Sequence, residues 1–152
     1  MTNSLVSRSS TAPSPVRPSR SVPVEPDEAW RLLSSVRLGR IVFTRSALPA
    51  IRPTPHLVEG ADIIVRSHDW PALTPAAHSG LAHGVVVAYE ADLLDHDTHL
   101  GWSVVAVGYA HLVTGSSELA RYRDLLPAWA ADPADRVVRI RAEEIAGFRL
   151  TA

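Results

Sequence analysis

Three arginines interrupt the apolar, alternating stretches of one segment, residues 39–67, GRIVFTRSALPAIRPTPHLVEGADIIVRS. They are Arg40, Arg52 and Arg66, and Ser67 follows the last of them directly. A guanidinium group presents a planar set of N–H donors and a hydroxyl can also donate, so an arginine followed by a serine can hold several oxygens of one phosphate. The alternative is that these arginines lie on solvated faces of a sheet. The residues alone leave both interpretations open for Arg52 and Arg66, whereas we expect Arg40 to face solvent.

The chain contains no lysine, so all 15 of its basic residues are arginine. This excludes Schiff-base chemistry and the phosphate-binding lysine of a P-loop. The chain also contains no cysteine, which excludes disulfides, thiolate metal sites and cysteine nucleophiles. Any phosphate must therefore be held by arginine, by hydroxyl groups and by backbone N–H groups.

Seven histidines could ligate a metal or transfer protons. His56 and His68 follow the two arginine motifs and could line the same pocket, where either could donate a proton near pH 7. His96 and His99 lie in the polar stretch DHDTH without a matching second pair, and no His-Glu-x-x-His motif is present, so no metal site is predicted. A Gly-x-Ser-x-Gly nucleophile elbow is also absent, which argues against a Ser-His-Asp hydrolase.

Length and composition favour one globular domain that does not bind nucleic acid or span a membrane. The chain has 152 residues, of which 46% are hydrophobic and 20% charged. A net charge of −1 gives no basic face for nucleic acid. No apolar run approaches the ~20 residues of a membrane-spanning helix. The N-terminus lacks the apolar block of a signal peptide, so we expect a cytoplasmic protein.

The positions of serine, proline and the charged residues divide the chain near residue 25. Residues 1–24 are rich in Ser, Pro and Arg and contain no acidic residue, so we expect a disordered, dispensable arm. The ordered domain should then span residues 25–152. A helix is predicted from Pro26, because proline suits a first helical turn and Asp27 and Glu28 favour its positive end.

The remaining pattern is mostly that of strands. Strands are predicted at 39–45, 49–58, 62–67, 84–92 and 101–115, with two more within 135–150, a loop with a short helical turn at 69–80 and a helix at 116–127. The first two strands should form a hairpin around Ser46-Ala47-Leu48. Six or seven strands with two or three short helices and no βαβ alternation favour a mainly β fold. An antiparallel sheet of this size most readily curls into a small barrel, which removes exposed edges.

The order of these motifs resembles the pyridoxamine 5′-phosphate oxidase-like family, whose members have an FMN-binding split β-barrel. The resemblance covers roughly residues 25 to 151. The pieces that carry it are LGRIVFT, LPAIRPTPH, ADIIVRS, VVVAYEAD, GWSVVAVGYAHLV and RVVRIRAEEIAGFRL. Their order and spacing are more specific than any one of them.

The resemblance implies a set of cofactor-binding residues. Arg66 and Ser67 match the pair that holds the flavin phosphate, and the strand with Arg52, Pro53 and Thr54 resembles the one along the isoalloxazine ring and ribityl chain. Trp102 and Ser103 belong to a GWS segment that resembles one approaching the same site. We expect a homodimer, because the family builds its flavin sites at a subunit interface, and this segment would then approach from the second subunit. The residues taken to bind the cofactor are Arg52, Pro53, Thr54, Arg66, Ser67, His68, Trp102 and Ser103. For Trp102 the alternative is packing in the core or in the dimer.

The sequence also departs from the family pattern. Many relatives have a phosphate-binding lysine after the Arg-Ser pair, where this chain has Trp70-Pro71-Ala72, and relatives often have an arginine where this chain has His99 or Leu100. Losing one charge-assisted hydrogen bond costs about 1.5–3 kcal/mol of binding.

Two functional classes therefore remain. The first is an FMN-dependent oxidoreductase acting on an unidentified small molecule, with no catalytic residue assigned. Pyridoxamine 5′-phosphate itself is not expected as the substrate, because the C-terminal part that completes that site in the true oxidases is missing. The second is a protein of the same fold that binds no flavin or is not redox-active, with haem, the deazaflavin coenzyme F420 or no cofactor. In the first class, replacing Arg66 by Ala should weaken FMN binding and leave folding almost intact.

Overall fold

The computed structural model describes residues 18–68, 84–129, 131–133 and 135–152. Within them the chain forms seven strands and two helices. The strands are β1 (Arg20–Val24), β2 (Leu38–Arg45), β3 (Leu48–Glu59), β4 (Asp62–Ser67), β5 (Val85–Leu94), β6 (Gly101–Leu112) and β7 (Arg136–Thr151), and the helices are α1 (Pro26–Ser35) and α2 (Ser116–Leu125). The predicted loop and helical turn at 69–80 lies outside the described residues.

All strand pairings are antiparallel and the sheet closes on itself. The strand order is β1-β7-β4-β3-β2-β5-β6, and an additional pairing of β6 with β7 completes the ring. Closure removes most of the unpaired strand edges that an open sheet of this size would expose. The prediction of a mainly β split barrel is confirmed.

The barrel interior is filled by alternate residues of the strands, as the period of two requires. On β6, for example, Val104, Ala106 and Ala110 are fully buried, while Val105 and Val107 between them are partly exposed. Helix α1 contributes Ala29 and Leu33 to this core. A smaller second cluster, which includes Ile64 and Tyr122, packs α2 against the outside of the sheet.

The β2–β3 hairpin sets the register of the strand that carries Arg52. The two strands are joined by Ser46 and Ala47, whose φ angles are 49° and 62°, and Arg45 pairs with Leu48. Two successive residues with positive φ are typical of the tight turn whose twist matches a hairpin. In this register Arg52 lies opposite Ile41, and the predicted hairpin is confirmed.

Two boundaries differ from the sequence prediction. Residues 20–24, assigned above to the disordered arm, form β1 and pair with residues 147–151 of β7. The last part of the chain forms one strand of 16 residues instead of two. A register shift beside Gly108 marks an irregularity in its pairing with β6, and a bulge of this kind bends a strand without ending it.

Helix α2 is fixed to the barrel by charged groups around one tyrosine. Tyr122 is fully buried, and its hydroxyl donates to Glu59 at 3.0 Å. The guanidinium groups of Arg121 and Arg139 lie 4.5 Å and 5.8 Å from the centre of its ring, within the range of cation–π attraction. This attachment holds the end of α2 against the barrel, where the Leu126 N–H donates to the Tyr122 carbonyl. No helix of the described segments is long and apolar enough to span a bilayer.

Candidate functional site

Six of the predicted site residues meet at one cavity, where the C-terminal end of β4 lies beside the middle of β3. The cavity has a volume of about 100 Å³. The described residues that line it are Ile41, Arg52, Pro53, Thr54, Pro55, Arg66, Ser67, His68, Ala128, Trp129, Asp132 and Asp135. The two strands are neighbours in the sheet, so the sequence separation between Arg52 and Arg66 does not separate them in space.

Arg66 is held in place by contacts to two other parts of the chain. Its Nε donates to Oδ2 of Asp135 at 2.7 Å, and its Nη2 donates to the same oxygen. Its Nη1 donates to the Leu126 carbonyl, just beyond α2, at 3.2 Å. The side chains of Arg66 and Asp135 are only 14% and 13% exposed. Arg66 is therefore a partly buried residue that connects β4 to the segment between α2 and β7. Its loss should reduce the stability of the fold, contrary to the expectation that folding is left almost intact.

The hydroxyl groups at the site are buried. Thr54 donates from Oγ1 to the backbone carbonyl of Arg66 at 2.5 Å, so its hydroxyl positions Arg66. Ser67 is 6% exposed and lines the cavity next to Arg66. Because burying a hydroxyl is costly without a partner, both groups are fixed parts of the cavity wall.

Arg52 and His68 occupy more accessible positions. The Arg52 side chain, which is partly buried, donates from Nη1 to the carbonyl of Ile51 at 2.8 Å. His68 is exposed at the end of β4. Of the two histidines considered above, His68 lines the cavity that Arg66 and Ser67 also line.

Two carboxylates in the cavity wall were missed by the sequence analysis. Asp132 and Asp135 lie in the segment between α2 and β7, which carries no recognisable motif. They place two negative charges beside the two guanidinium groups of Arg52 and Arg66. The sequence contained no signal for this, because Asp135 and Arg66 are 69 residues apart and meet only when β4 pairs with β7.

His56 is a structural residue with both ring nitrogens engaged. It is 4% exposed, its Nε2 lies 2.8 Å from the Leu33 carbonyl and its Nδ1 lies 2.8 Å from the Tyr89 hydroxyl. Burial lowers its pKa, and the hydrogen bond to Leu33 opposes this only in part. The Tyr89 hydroxyl oxygen also lies 2.8 Å from the Thr54 carbonyl oxygen. Both nitrogens of His56 thus have partners within the protein, and the residue does not line the cavity of Arg66 and Ser67.

The remaining predicted residues lie elsewhere on the barrel. Trp102 is 5% exposed and belongs to the main core, so the structure supports core packing and not a cofactor contact within this chain. Ser103 lies on the outer face of β6, and its hydroxyl donates to Glu90 at 3.4 Å. Neither residue lines the cavity at β3 and β4.

Arg40 faces outward, as predicted, but it is not isolated. Its side chain is 45% exposed, and Nη1 lies 2.9 Å from Glu90 and 3.1 Å from Asp92. Burial raises the pKa of Glu90 and the neighbouring Asp92 adds to the effect, while Arg40 opposes both. The described residues contain no cluster of three or more side chains that could hold a metal ion.

Comparison with known protein families assigns the chain to the family that its motifs resemble. A model of the pyridoxamine 5′-phosphate oxidase family matches residues 25–149, which is most of the chain. The chain belongs to this family. The resemblance drawn from the motifs is thus confirmed.

The chain is also similar to proteins of Mycobacterium and Corynebacterium. An uncharacterized protein of Mycobacterium tuberculosis is 47% identical over 131 residues, which is 86% of each chain. The crystal structure of a candidate pyridoxamine 5′-phosphate oxidase of Corynebacterium glutamicum is 29% identical with a TM-score of 0.67, and covers 88% of this chain and 100% of its own. A structure of a FAD-binding protein of Mycobacterium smegmatis is 27% identical with a TM-score of 0.59, and covers 87% of this chain and 100% of its own.

Proposed function

We propose that this protein is a flavin-dependent oxidoreductase that binds FMN and acts on a small molecule that is not yet identified. One observation carries the proposal: Arg52, Arg66 and Ser67 line a single cavity in a chain of the pyridoxamine 5′-phosphate oxidase family. The similar protein of Mycobacterium smegmatis is a FAD-binding protein. This supports a flavin ligand and makes FAD the alternative nucleotide.

The residues of the cavity fit a flavin phosphate, provided that the contact between Arg66 and Asp135 changes. Two guanidinium groups and a hydroxyl are the donors that phosphate oxygens prefer where lysine is absent. Arg66, however, already donates from Nε and Nη2 to Asp135. A phosphate oxygen must therefore replace the Asp135 carboxylate on these groups, while the Leu126 carbonyl can keep Nη1.

The bound flavin would carry the electrons of the reaction. The chain's own residues would bind and orient it. Arg52 and Ser67 would hold the phosphate together with Arg66, and Thr54 would keep Arg66 in place through its hydrogen bond to the Arg66 carbonyl. His68, exposed at the rim of the cavity, is the candidate for holding a proton near the substrate.

We further propose a homodimer, because the outer face of β5 and β6 is apolar. Val86, Val105 and Val107 are 61%, 38% and 36% exposed and lie on neighbouring strands. Ser103 shares this face with Val105 and Val107, since residues two apart on a strand face the same way. In such a dimer, Ser103 of one subunit could approach the flavin bound by the other, as the resemblance implies, whereas Trp102 on the opposite side of β6 could not.

A protein that binds no flavin is the second candidate, and one observation favours it. The carboxylates of Asp132 and Asp135 line the same cavity as the two arginines. If Asp135 stays on Arg66, the site is close to neutral and would not attract a phosphate group.

The test compares FMN with riboflavin, which has the same ring system but no phosphate. We expect the purified protein to show flavin absorption bands or to bind added FMN. We also expect FMN to bind at least tenfold more tightly than riboflavin, because the charge-assisted hydrogen bonds to phosphate are absent with riboflavin. A colourless protein that binds neither flavin would overturn the proposal, and a haem absorption band would favour the second candidate.

Two variants at the cavity should change the preference for FMN over riboflavin in opposite directions. Replacing Arg66 by Ala should cost FMN binding about 2 kcal/mol and leave riboflavin binding unchanged. Replacing Asp135 by Asn should strengthen FMN binding about tenfold, or 1.4 kcal/mol, because the competing charge is removed. Arg31→Ala, at an exposed arginine of α1 that lines neither cavity, is the control and should change neither affinity. The phosphate reading is wrong if Arg66→Ala binds FMN as tightly as the parent does.

A further inference from the structure

A second and larger cavity lies between the end of α1, strand β3 and the residues that follow α2. Its volume is about 500 Å³, within the range of about 300–1,000 Å³ typical of small-molecule sites. Its walls are mainly apolar, with Val36 from the end of α1, Leu57 and Val58 from β3, and Leu125 and Trp129 from the other side. It adjoins the smaller cavity, since Pro55 and Trp129 line both.

Two large apolar residues at this cavity are mostly exposed. Leu125 is 54% and Trp129 is 68% exposed, although each lies beside a concave apolar surface that could cover it. Exposed apolar side chains grouped around a cavity mark binding sites more often than isolated ones do. The surface is therefore suited to a compact apolar molecule.

One positive charge accompanies this apolar surface. Arg37 lines the cavity and is exposed. Its guanidinium makes no hydrogen bond or ion pair with any residue that the structure describes. Its backbone carbonyl accepts from the His56 N–H at 3.0 Å, which fixes the position of this residue at the end of α1.

The other polar groups of the wall are already engaged. The Ser34 hydroxyl donates to the Trp30 carbonyl at 2.8 Å. Both ring nitrogens of His56 lie at hydrogen-bond distance from the Leu33 carbonyl and the Tyr89 hydroxyl. Arg37 is thus the group best placed to bind a charged part of a ligand, and it requires that part to be anionic.

We propose that this cavity is a binding site for an apolar organic carboxylate. The apolar body lies between β3 and the Leu125–Trp129 wall, and the carboxylate pairs with the Arg37 guanidinium. The site is separate from the proposed phosphate contacts of the smaller cavity, because Arg37 does not line that cavity.

The experiment uses the full chain and two pairs of probes, 2-naphthoate with its neutral amide and decanoate with its neutral amide. Binding is measured by calorimetry and by the fluorescence of Trp129, with Trp129→Phe to assign the signal. We expect at least one carboxylate to bind about tenfold more tightly than its amide, as a charge-assisted hydrogen bond predicts. If neither carboxylate binds at millimolar concentration, or if each amide binds as well as its acid, the proposal is overturned.

Matched variants test whether the Arg37 guanidinium binds the carboxylate. Arg37→Gln should abolish the preference for the acid, whereas Arg31→Gln, the same change on the exposed face of α1, should leave it intact. Leu125→Ala should weaken acid and amide equally. FMN binding by Arg37→Gln should equal that of the parent, so failure of this proposal and failure of the proposed flavin function give different results. A preference for the acid that survives in Arg37→Gln would also overturn the assignment.

Discussion

At the scale of single residues, Arg66 shows how a side chain can serve both folding and binding. Its guanidinium joins β4 to Asp135 and to the Leu126 carbonyl beyond α2. Removing it would leave a partly buried carboxylate and a carbonyl without their partner, which costs about 1–3 kcal/mol. The stability of Arg66→Ala should therefore be measured beside its flavin affinity. Without that measurement a loss of binding could reflect a loosened segment between α2 and β7.

His56 should make the stability of the protein depend on pH. Burial lowers its pKa below the ordinary value of 6.5, so in mildly acidic solution the unfolded chain binds a proton that the folded chain resists. The free energy of unfolding should therefore fall as the pH decreases through about 6.5 and should level off above about 7.5.

Urea unfolding at pH 5.5 and 7.5 tests this dependence. His56→Gln should be less stable than the parent at both pH values, because the hydrogen bonds to Leu33 and Tyr89 are lost. The difference between its free energies of unfolding at pH 5.5 and pH 7.5 should nevertheless be smaller than in the parent. His96→Gln, a change of an exposed ring in the loop after β5, is the control and should keep the parent's difference. If the pH dependence of unfolding in His56→Gln equals that of the parent, the buried His56 ring does not cause it.

At the scale of elements, local chemistry predicted the turns better than the ends of the chain. The Ser46-Ala47 turn follows from two alternating stretches separated by a short polar break. Strand β1 was missed because the segment RSVPV buries only Val24. Nothing local distinguishes it from the preceding arm, and it is ordered by pairing with β7. A truncation that removed residues 1–24 would expose that edge of β7, so residue 24 is not the boundary of a dispensable arm.

The hairpin turn offers a stabilising substitution. Ala47 has a φ of 62°, a conformation that costs a residue with a Cβ about 1–2 kcal/mol. Ala47→Gly should raise the free energy of unfolding by about 0.5–1 kcal/mol, since the relief exceeds the entropy that glycine loses on folding. Ala50→Gly, in the adjoining strand, should destabilise instead. Urea midpoints of the two variants and the parent decide this, and a less stable Ala47→Gly would contradict the strain argument.

At the scale of the whole molecule, closure of the barrel determines which apolar residues remain for a partner. The inner positions of β5 and β6 fill the core, and the alternate positions leave valines on the outer face. The same face carries Arg40 beside Glu90 and Asp92. A second copy of the chain could match these opposite charges, and this is the physical basis for the proposed homodimer.

A charge at the centre of this face should separate the subunits. Val107 lies opposite Glu144 in the register of β6 and β7, so Val107→Glu would add like charges that are costly in an interface. We expect the parent to be dimeric and this variant monomeric by light scattering at micromolar concentration. Val22→Glu, on β1 opposite Arg149, should remain dimeric. A monomeric parent would refute the homodimer.

The sequence by itself determined most of the fold and the family of this protein. Strand periodicity, turn residues and the helix start at Pro26 act over a few neighbouring residues, so they can be read from the chain. The resemblance carried by the motifs around Arg52 and Arg66 implied that these residues hold one ligand. The short turn between their strands makes the two strands neighbours in the sheet.

Only the tertiary structure decided what surrounds those residues. Asp135 reaches Arg66 across 69 positions of sequence, and its carboxylate sets the charge of the cavity. Burial against Leu33 and Tyr89 makes His56 a structural residue, and the strand alternation places Trp102 in the core and Ser103 outside. These contacts depend on which distant segments pack together. A side chain's charge, exposure and partners at the site therefore follow from packing and not from its neighbours in the chain.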